Sequence, residues 1–200
     1  MEKRSSLRDE AEVHLNSHHY SPLEESIRRR WQVPEDLLRD LGLKSGMVFM
    51  DIGCGDGFFA IPAAEITGKG GRVFAVDADA SAISRLNDRA AEKGLSNVTA
   101  RVEAAEETVF CESCADLVFY SIVLHDFSDP GMVLRNAKQM IKPSGSLVNL
   151  DWKKKPSEFG PPVSIRFSEE EAVSLIEAAG FRVESVKDSG QDHYIVVAKP

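Results

Sequence analysis

The sequence is poor in cysteine, in long apolar runs and in positive charge. Its three cysteines are an odd number for a domain of ordinary size, which fits a reducing compartment. The longest apolar run, around residues 117–124, is far shorter than the roughly 20 residues that span a bilayer, and no apolar core follows the charged start of the chain. We therefore expect a soluble, cytoplasmic protein without a membrane segment.

Positive charge is scarce relative to negative charge. The chain has 24 Lys and Arg against 32 Asp and Glu, a formal net charge of −8 and a pI of about 5.2. Proteins that bind phosphate backbones need a basic face, and no long basic stretch occurs here. Nucleic acid is therefore disfavoured as a partner.

Candidate metal ligands are few. Cys111 and Cys114 have the C-x-x-C spacing of redox dithiols and of half a zinc site, but no second pair exists. His14 and His18 would share one helix face, with no acidic or cysteine third ligand beside them. We predict no metal site, no redox role for the cysteine pair, and a simple space-filling role for Cys54.

Strand-like and helix-like segments alternate along the chain. The expected strands are 47–52, 71–77, 97–103, 115–122, 145–152, 181–188 and 193–200. Asp79, Asp129 with Pro130, and Ser168 with Glu171 mark helix starts between them. This order predicts a single α/β domain with a mostly parallel seven-stranded sheet, helices on both faces and an antiparallel last strand. Residues 1–46 are expected to form an N-terminal helical cap segment, and 47–200 the main domain.

A glycine run, MDIGCGDGFF at 50–59, follows the first expected strand. Its glycines lie two residues apart, at Gly53, Gly55 and Gly57. The dinucleotide fingerprint G-x-G-x-x-G would need a third glycine where Phe58 stands. Asp51 and Asp56 flank the loop and would repel a diphosphate in a partly dehydrated cleft. The loop therefore favours a cationic ligand that the backbone can approach closely.

Asp77 ends the second expected strand, 20 residues after Gly57. A carboxylate at this place can accept hydrogen bonds from a ribose diol through both oxygens. S-adenosylmethionine fits both observations because it joins an adenosine and a sulfonium to an amino acid end. Its ammonium could pair with Asp51, either directly or through water.

With these motifs in this order, the sequence resembles the large family of S-adenosylmethionine-dependent methyltransferases with a Rossmann-like sheet. Residues 51–57 match the first motif of that family, 76–77 the second, and KPSG at 142–145 resembles the turn before the fifth strand. The chain looks most like the small methyltransferases grouped with the ubiquinone and menaquinone C-methyltransferases and the arsenite methyltransferases. Its three cysteines do not supply an arsenic-thiolate set, which disfavours the arsenite branch.

The resemblance implies S-adenosylmethionine as the cofactor and assigns its site. The implied cofactor-binding residues are Asp51, Gly53, Cys54, Gly55, Gly57, Phe58, Asp77, Ala78, Ala105, Glu106 and Ser121. The chain departs from the family at Ala104, where an aspartate often faces the adenine amino group. Adenine recognition would then rest on the backbone of Ala105, on packing, or on Glu106.

The catalytic demand of such a transfer is modest. A sulfonium is already an activated electrophile, so the protein mainly has to align a nucleophile and exclude water, and no metal is needed. For a nucleophile that must lose a proton, the candidate bases are His125 and Asp126, in the loop after the fourth strand. The alternative is that His125 only packs beside the cofactor or caps that loop.

Candidate acceptor-binding residues follow the fifth strand at the same edge. Trp152 and Lys153 could hold an aromatic or anionic acceptor, and the alternative is a packed indole beside a solvated lysine face. Arg166 would point either at the acceptor or at the acidic run 169–171. In the N-terminal segment, RRRW at 28–31 either closes over the cofactor carboxylate or forms a solvated helix face.

The function that follows is methyl transfer from S-adenosylmethionine to a small-molecule acceptor, with a homodimer as an option. The alternative is a non-catalytic subunit that binds S-adenosylmethionine and regulates or stabilises a partner protein. A nicotinamide-dependent oxidoreductase is the third choice, and it lacks its glycine fingerprint.

Overall fold

The computed structural model describes residues 25, 26, 28–30 and 32–200, so the predictions for His14, His18 and Trp31 lie outside the described residues. The helices are α1 Pro34–Asp40, α2 Ala60–Thr67, α3 Ala80–Glu92, α4 Pro130–Met140 and α5 Glu169–Ala178. The strands are β1 Val48–Ile52, β2 Arg72–Asp77, β3 Val98–Val102, β4 Ala115–Ser121, β5 Ile141–Trp152, β6 Arg182–Ser189 and β7 His193–Lys199. Two short 3₁₀ turns, Ala105–Glu107 and Leu124–Asp126, also lie in the described part of the chain.

Three helices begin at the residues that the sequence predicts. The carboxylates of Asp79 and Asp129 each accept a hydrogen bond of 2.8 Å from a backbone N–H in the first turn, and Pro130 occupies a position where a backbone donor would be unpaired anyway. Ser168 and Glu171 form a complete capping box. Local chemistry alone therefore fixes where α3, α4 and α5 start.

The seven strands form one sheet in the order β3-β2-β1-β4-β5-β7-β6. β7 pairs antiparallel with both β5 and β6, while the pairs among β1 to β5 are parallel. The predicted architecture is confirmed, including the antiparallel last strand. The strand order reverses between β1 and β4, and ligands of such sheets bind at the carboxyl edge beside this switch point.

One strand boundary differs from the expected one. β5 begins at Ile141, directly after α4, instead of at residue 145. Its first residue pairs with Ala115, and the register then shifts so that Leu117 pairs with Ser146. This irregularity absorbs the KPSG turn, which the sequence placed outside the strand.

The cysteines also differ from expectation. Cys111 and Cys114 are joined by a disulfide in the loop before β4, whereas the sequence predicted no redox pairing for them. Two cysteines three residues apart on a tight loop can meet without any change elsewhere in the fold. Cys54 is a free, buried thiol, as its predicted packing role requires.

Side chains alternate between the two faces of the sheet and fill two apolar layers. On one face, Phe49 packs with α1, α2 and α3; we call this the α2 face. On the other, Met50 packs with α4 and α5; we call this the α4 face. Among the described residues, no helix has both the length and the apolar character that crossing a membrane demands.

Candidate functional site

Three polar side chains stand at the carboxyl edge of the sheet on its α2 face. Asp51, Asp77 and Ser121 lie near the ends of β1, β2 and β4, and each follows a core residue of the α2 face by two positions. The structure therefore brings them together at the switch point. Asp151, which strand order alone would group with them, belongs by the same alternation to the α4 face.

The glycine loop is shaped by close packing and by positive φ angles. A side chain at Gly53 (φ 74°) would lie 2.5 Å from a methyl group of Val123, and one at Gly57 (φ 91°) would overlap Leu86. At Gly55, by contrast, an added Cβ would meet nothing within 4 Å. The loop is thus anchored at its two ends and open at its middle, which is the form a backbone cradle for a ligand needs.

Asp77 holds this open middle in place. Its Oδ2 accepts a hydrogen bond of 2.8 Å from the Gly55 N–H, and its Oδ1 accepts one of 2.9 Å from the Asp79 N–H. A carboxylate oxygen has two lone pairs, so each oxygen can accept a further hydrogen bond. Asp77 can therefore order the loop and still receive the hydroxyls of a ribose.

Asp51 is a buried carboxylate with hydrogen-bonding capacity to spare. Its residue is 2% exposed, and its Oδ2 has no hydrogen-bond partner among the described residues. Burial raises the pKa of Asp51 to about 7, although the positive charge of Arg28 works to lower it, and the negative charge of Asp77 adds to the rise. A buried, unsatisfied acceptor of this kind is matched by a cation, and the cradle fits a ligand with an ammonium group.

Asp56, the second acidic residue of the loop, is already paired. Its carboxylate lies 3.4 Å from a guanidinium nitrogen of Arg89, which also binds Glu25 at 3.0 Å. Burial raises the pKa of Asp56, and Arg89 opposes that rise. Arg89 of α3 therefore links Asp56 to Glu25, whereas Asp51 keeps an oxygen without a partner among the described residues.

Two of the other predicted cofactor-binding residues, Phe58 and Cys54, are packed in the interior, and a third, Ala78, is not. Phe58 is 6% exposed, and the guanidinium of Arg28 lies 4.1 Å from its ring centroid. Cys54 is also 6% exposed, and burial, followed by the nearby carboxylates, raises its thiol pKa well above the usual value. Ala78 is exposed at the carboxyl end of β2.

The turn predicted to contact adenine is tied to the start of α4. A carboxylate oxygen of Glu106 accepts the backbone N–H of Ser128 at 2.9 Å and that of Asp129 at 3.3 Å. The Asn136 amide donates to the carbonyl of Glu106 at 2.7 Å and to that of Ala105 at 3.4 Å. The Glu106 carboxylate thus binds the backbone at the start of α4. Contacts with an adenine would then come from the backbone and the apolar surface of this turn.

The predicted bases form a buried chain with Asp151. His125 Nδ1 lies 2.9 Å from Asp151 Oδ1, and its Nε2 lies 3.5 Å from Asp126 Oδ1. The side chains of His125 and Asp151 are 1% and 0% exposed, whereas that of Asp126 is 30% exposed. Burial works to lower the pKa of His125, but its hydrogen bond to Asp151 and the charges of Asp151 and Asp126 together raise it. Of these three side chains, only Asp126 reaches the surface.

Trp152 is packed beneath the loop that follows β5. Its residue is 8% exposed, and its ring centroid lies 4.0 Å from that of His193. A side chain added at Gly160 would come within 2.8 Å of the indole, and the Arg166 guanidinium lies 5.0 Å from the ring centroid. These contacts correspond to the packed indole that the sequence left as the alternative.

Lys153 and Arg166 are also engaged by the protein itself. Lys153 Nζ lies 2.6 Å from Asp188 Oδ1 on β6. The Arg166 guanidinium donates to the carbonyls of four loop residues, at 2.8 to 3.4 Å: Lys153, Lys155, Phe159 and Pro161. The expectation that Arg166 faces either an acceptor or the acidic run 169–171 is therefore corrected, because its donors hold the 153–162 loop.

Two features of this edge, Asp151 and the backbone of Ile122, were not among the predicted site residues, and the sequence offered the run 28–31 without saying which of its arginines is buried. The pairing of Asp151 with His125 depends on the order of β4 and β5 in the sheet. Ile122 adopts φ 59°, a conformation that costs a β-branched residue about 1–3 kcal/mol and that is concentrated at functional sites. Arg28 is buried against Phe58. No local sequence signal marks Asp151 or Ile122, and a triple-arginine run does not say which arginine is buried.

Comparison with known proteins gives concordant results. A family model described as a methyltransferase domain matches residues 43–186. A demethylmenaquinone methyltransferase of Geobacillus kaustophilus is 28% identical over 135 residues, which are 68% of this chain and 57% of that protein. A nocamycin O-methyltransferase of Saccharothrix syringae is 30% identical over 104 residues, 52% of this chain and 37% of that protein. The chain spans about half the length of the curated relatives it matches.

A solved structure extends the likeness over most of the chain. The crystal structure of a SAM-dependent methyltransferase from Aquifex aeolicus superposes with a TM-score of 0.82 at 29% identity. The match covers 90% of this chain and 98% of that one. The fold and the position of the switch-point edge are therefore shared with that protein.

Proposed function

We propose that this chain, which belongs to the methyltransferase-domain family, transfers a methyl group from S-adenosylmethionine to a small-molecule acceptor. The observation that carries the proposal is the buried Asp51 carboxylate, whose Oδ2 has no partner among the described residues, next to the open middle of the glycine loop. The likeness to methyltransferases over 90% of the chain supports it.

The residues that would hold the cofactor divide the work by chemistry. Asp77 accepts the ribose hydroxyls through its remaining lone pairs, while Asp51 faces the ammonium of the amino acid end. The glycine loop allows close approach of the ligand to the backbone, because Gly55 carries no side chain and a Cβ placed there would meet nothing within 4 Å. When bound, S-adenosylmethionine supplies a methyl group that its sulfonium charge has already activated.

Of the three side chains His125, Asp126 and Asp151, only Asp126 is exposed enough to take a proton from the acceptor. Asp126 is 30% exposed and lies 3.5 Å from His125, whose other nitrogen contacts the buried Asp151. We assign Asp126 as the group that takes the proton from the acceptor and His125 as the residue that holds Asp126 in position. Asp126→Asn is then expected to lower kcat by about 10²–10⁴-fold with little change in cofactor affinity.

Cofactor binding and turnover can be measured separately. Calorimetric titration of the folded protein with S-adenosylmethionine and with S-adenosylhomocysteine is expected to show one site, and absence of heat for both would remove the proposal. Release of S-adenosylhomocysteine is then assayed with candidate acceptors, beginning with demethylmenaquinone, because a relative carries that compound in its name.

A second function has an observation in its favour. The side chain of His125 is 1% exposed, and Lys153 and Arg166 are bound by the protein's own groups. A non-catalytic subunit that holds S-adenosylmethionine to regulate a partner would need no free acceptor-binding groups. Binding of the cofactor without turnover on any oxygen, nitrogen or carbon nucleophile would favour this function.

Further predictions from the sequence stand as parts of the proposal. Glu25 and Arg28 contact the main domain through Arg89 and Ser121, which supports a cap formed by the N-terminal segment. We also propose a cytoplasmic protein, without a nucleic-acid partner, that could assemble as a homodimer. Size-exclusion chromatography with light scattering tests the last point.

A further inference from the structure

The two cysteines before β4 form a disulfide that a dissolved thiol can reach. Cys111 and Cys114 are joined, with their Cα atoms 6.1 Å apart. Both cysteines are partly exposed, and Glu112 and Ser113 between them are exposed. Reduction of a disulfide begins when a thiolate attacks one of its sulfur atoms, so exposure favours it. The loop precedes β4 and therefore lies at the amino edge of the sheet, opposite the candidate site.

One segment, residues 105–114, connects this disulfide to the turn that is predicted to contact adenine. Near the start of the segment, the Asn136 amide of α4 donates to the carbonyl of Glu106 at 2.7 Å. At its end, the N–H of Cys114 donates to the carbonyl of Met140, the last residue of α4, at 2.8 Å. The segment thus follows α4 from the carboxyl edge to the amino edge. A change of shape at the disulfide can reach the adenine turn along this path.

The cysteine loop has an unusual backbone conformation at its centre. Ser113 adopts φ 46°, in the left-handed region that residues other than glycine seldom occupy. Its N–H donates to the carbonyl of Gln139 at 2.9 Å, so the same turn also binds the end of α4. Two thiols cannot stand as close together as two bonded sulfurs, so reduction forces the loop to change shape. This change would loosen the contact between the segment 105–114 and α4.

The place of the disulfide favours redox sensing over catalysis. Disulfides that occur in a reducing compartment, such as the cytoplasm that the sequence predicts, are usually transient and act in catalysis or in sensing. We infer that Cys111 and Cys114 form a reversible thiol–disulfide site, and that the oxidised protein binds S-adenosylmethionine more tightly than the reduced protein. The second part rests on the proposed function. The competing role is a disulfide that only stabilises its own loop.

The reaction of this site is an exchange with a dithiol reductant. A thiolate of the reductant attacks one sulfur of the pair and forms a mixed disulfide, while the other cysteine leaves as a thiolate and takes up a proton. The second thiol of the reductant then attacks the mixed disulfide and releases the remaining cysteine, which is protonated in turn. Two electrons and two protons pass to the pair, and the reductant becomes a disulfide.

The experiment compares the wild-type protein after equilibration with oxidised glutathione or with dithiothreitol. Alkylation after denaturation, read by mass spectrometry, should label only Cys54 in the oxidised form and all three cysteines in the reduced form. Circular dichroism checks that both forms are folded. Calorimetry without an acceptor should show S-adenosylmethionine binding at least about fivefold more weakly to the reduced form, as expected for coupling between two sites.

Thermodynamic linkage supplies a second measurement on the same protein. If oxidation strengthens binding of S-adenosylmethionine, the saturating ligand must favour the disulfide by the same factor. In a buffer of reduced and oxidised glutathione, the ratio of disulfide to dithiol should therefore rise at least about fivefold when S-adenosylmethionine is added. An unchanged ratio would overturn the coupling.

The double variant Cys111→Ser with Cys114→Ser removes the site, and Glu112→Gln in the same loop is the matched control. The double variant should bind S-adenosylmethionine with the affinity of the reduced wild type and should not respond to dithiothreitol. Glu112→Gln keeps both cysteines and should keep the full response. A response that persists in the double variant would overturn the inference, because it would belong to Cys54.

The outcomes separate this inference from the proposed function. Equal affinities of the oxidised and reduced wild type would overturn the inference and leave the proposed function standing, as would three labelled cysteines after treatment with oxidised glutathione. If neither form binds S-adenosylmethionine, the proposed function and the coupling fail together, while alkylation still decides whether the pair is reversible. If the double variant does not fold, the two forms of the wild type still give the answer.

Discussion

The glycine-loop end of the sheet and the β5–β7 end meet at one carboxyl edge, yet their polar groups are satisfied differently. At the glycine loop, Asp51 has an oxygen without a partner among the described residues, and Asp77 keeps spare lone pairs. Beyond β5, Lys153 pairs with Asp188, and Arg166 donates to four backbone carbonyls. The first end keeps carboxylate acceptors that an external ligand can satisfy, whereas the charged groups of Lys153 and Arg166 at the second end are bound by the protein's own groups.

The comparison teaches that the presence of a charged residue at a functional edge does not decide its role. A buried donor that is already bonded contributes to folding, because its removal leaves carbonyls unsatisfied. An acceptor that lacks a partner contributes to binding, because a ligand can satisfy it. Substitutions at the β5–β7 end are therefore expected to lower the free energy of unfolding, and substitutions at the glycine-loop end are expected to lower ligand affinity.

The largest effect is expected at the β5–β7 end. Arg166→Ala should lower the free energy of unfolding by about 3 kcal/mol, because the residue is only 3% exposed and four carbonyl acceptors lose their donor. Chemical denaturation measures this change. Cofactor affinity per folded molecule should be unchanged, and a large affinity loss would break the contrast between the ends. Arg182→Ala, whose side chain is 72% exposed, is the control.

A smaller effect, on ligand affinity instead of on stability, is expected at the glycine-loop end. Asp77→Ala should weaken S-adenosylmethionine binding by about 1–3 kcal/mol, through the loss of charged hydrogen bonds to the ribose. Isothermal titration gives this value. The control is Asp79→Ala, which removes the N-cap of α3 and should cost about 1 kcal/mol of stability without lowering affinity. Unchanged binding in the Asp77 variant would contradict the placement of the ribose.

Asp51 should make binding dependent on pH. Its pKa is about 7 in the free protein, and a ligand ammonium favours the ionised carboxylate, so affinity should fall by up to about tenfold for each pH unit below 7. Titrations in buffers of different ionisation enthalpy should then detect proton release on binding. Asp51→Asn should remove the slope, and a persistent slope would assign the proton to another group.

The same shift predicts how the ligand-free protein unfolds. The pKa of the Asp51 carboxyl rises from its ordinary value of 3.8 in the unfolded chain to about 7 in the folded protein, so the folded state binds more protons between these values. Its contribution to stability is therefore complete below about pH 4 and is lost as the pH rises towards 7. Denaturation of wild type and Asp51→Asn across this range measures the difference.

The smallest effect is expected for Lys153, at the rim of the β5–β7 end. Lys153→Ala should lower the free energy of unfolding by less than about 1 kcal/mol, because its partner Asp188 is 76% exposed. Acceptor KM should not change if the lysine only binds Asp188. A rise in KM of about an order of magnitude in turnover assays would instead support the sequence-based prediction that Lys153 holds the acceptor.

Local patterns predicted most of the fold and the strand-end residues of the candidate site. The caps at Asp79, Asp129 and Ser168 depend on side chains that bond within one turn, so spacing alone identifies them. The glycine loop and Asp77 could also be identified from short patterns, because the loop follows β1 and Asp77 is the last residue of β2. The roles of Trp152 and Arg166 were not, because their partners lie in a loop whose path no short pattern specifies.

The sequence by itself determined the order of strands and helices, the glycine loop and its acidic neighbours, because these depend on contacts between residues close in the chain. Tertiary structure decided which charged side chains are paired within the protein and which can still bind a ligand. Asp56 was paired by Arg89, Lys153 by Asp188 and His125 by Asp151 only when distant segments met. Burial and hydrogen bonding are properties of that assembled environment, so the same residue type could become either a binding group or a structural one.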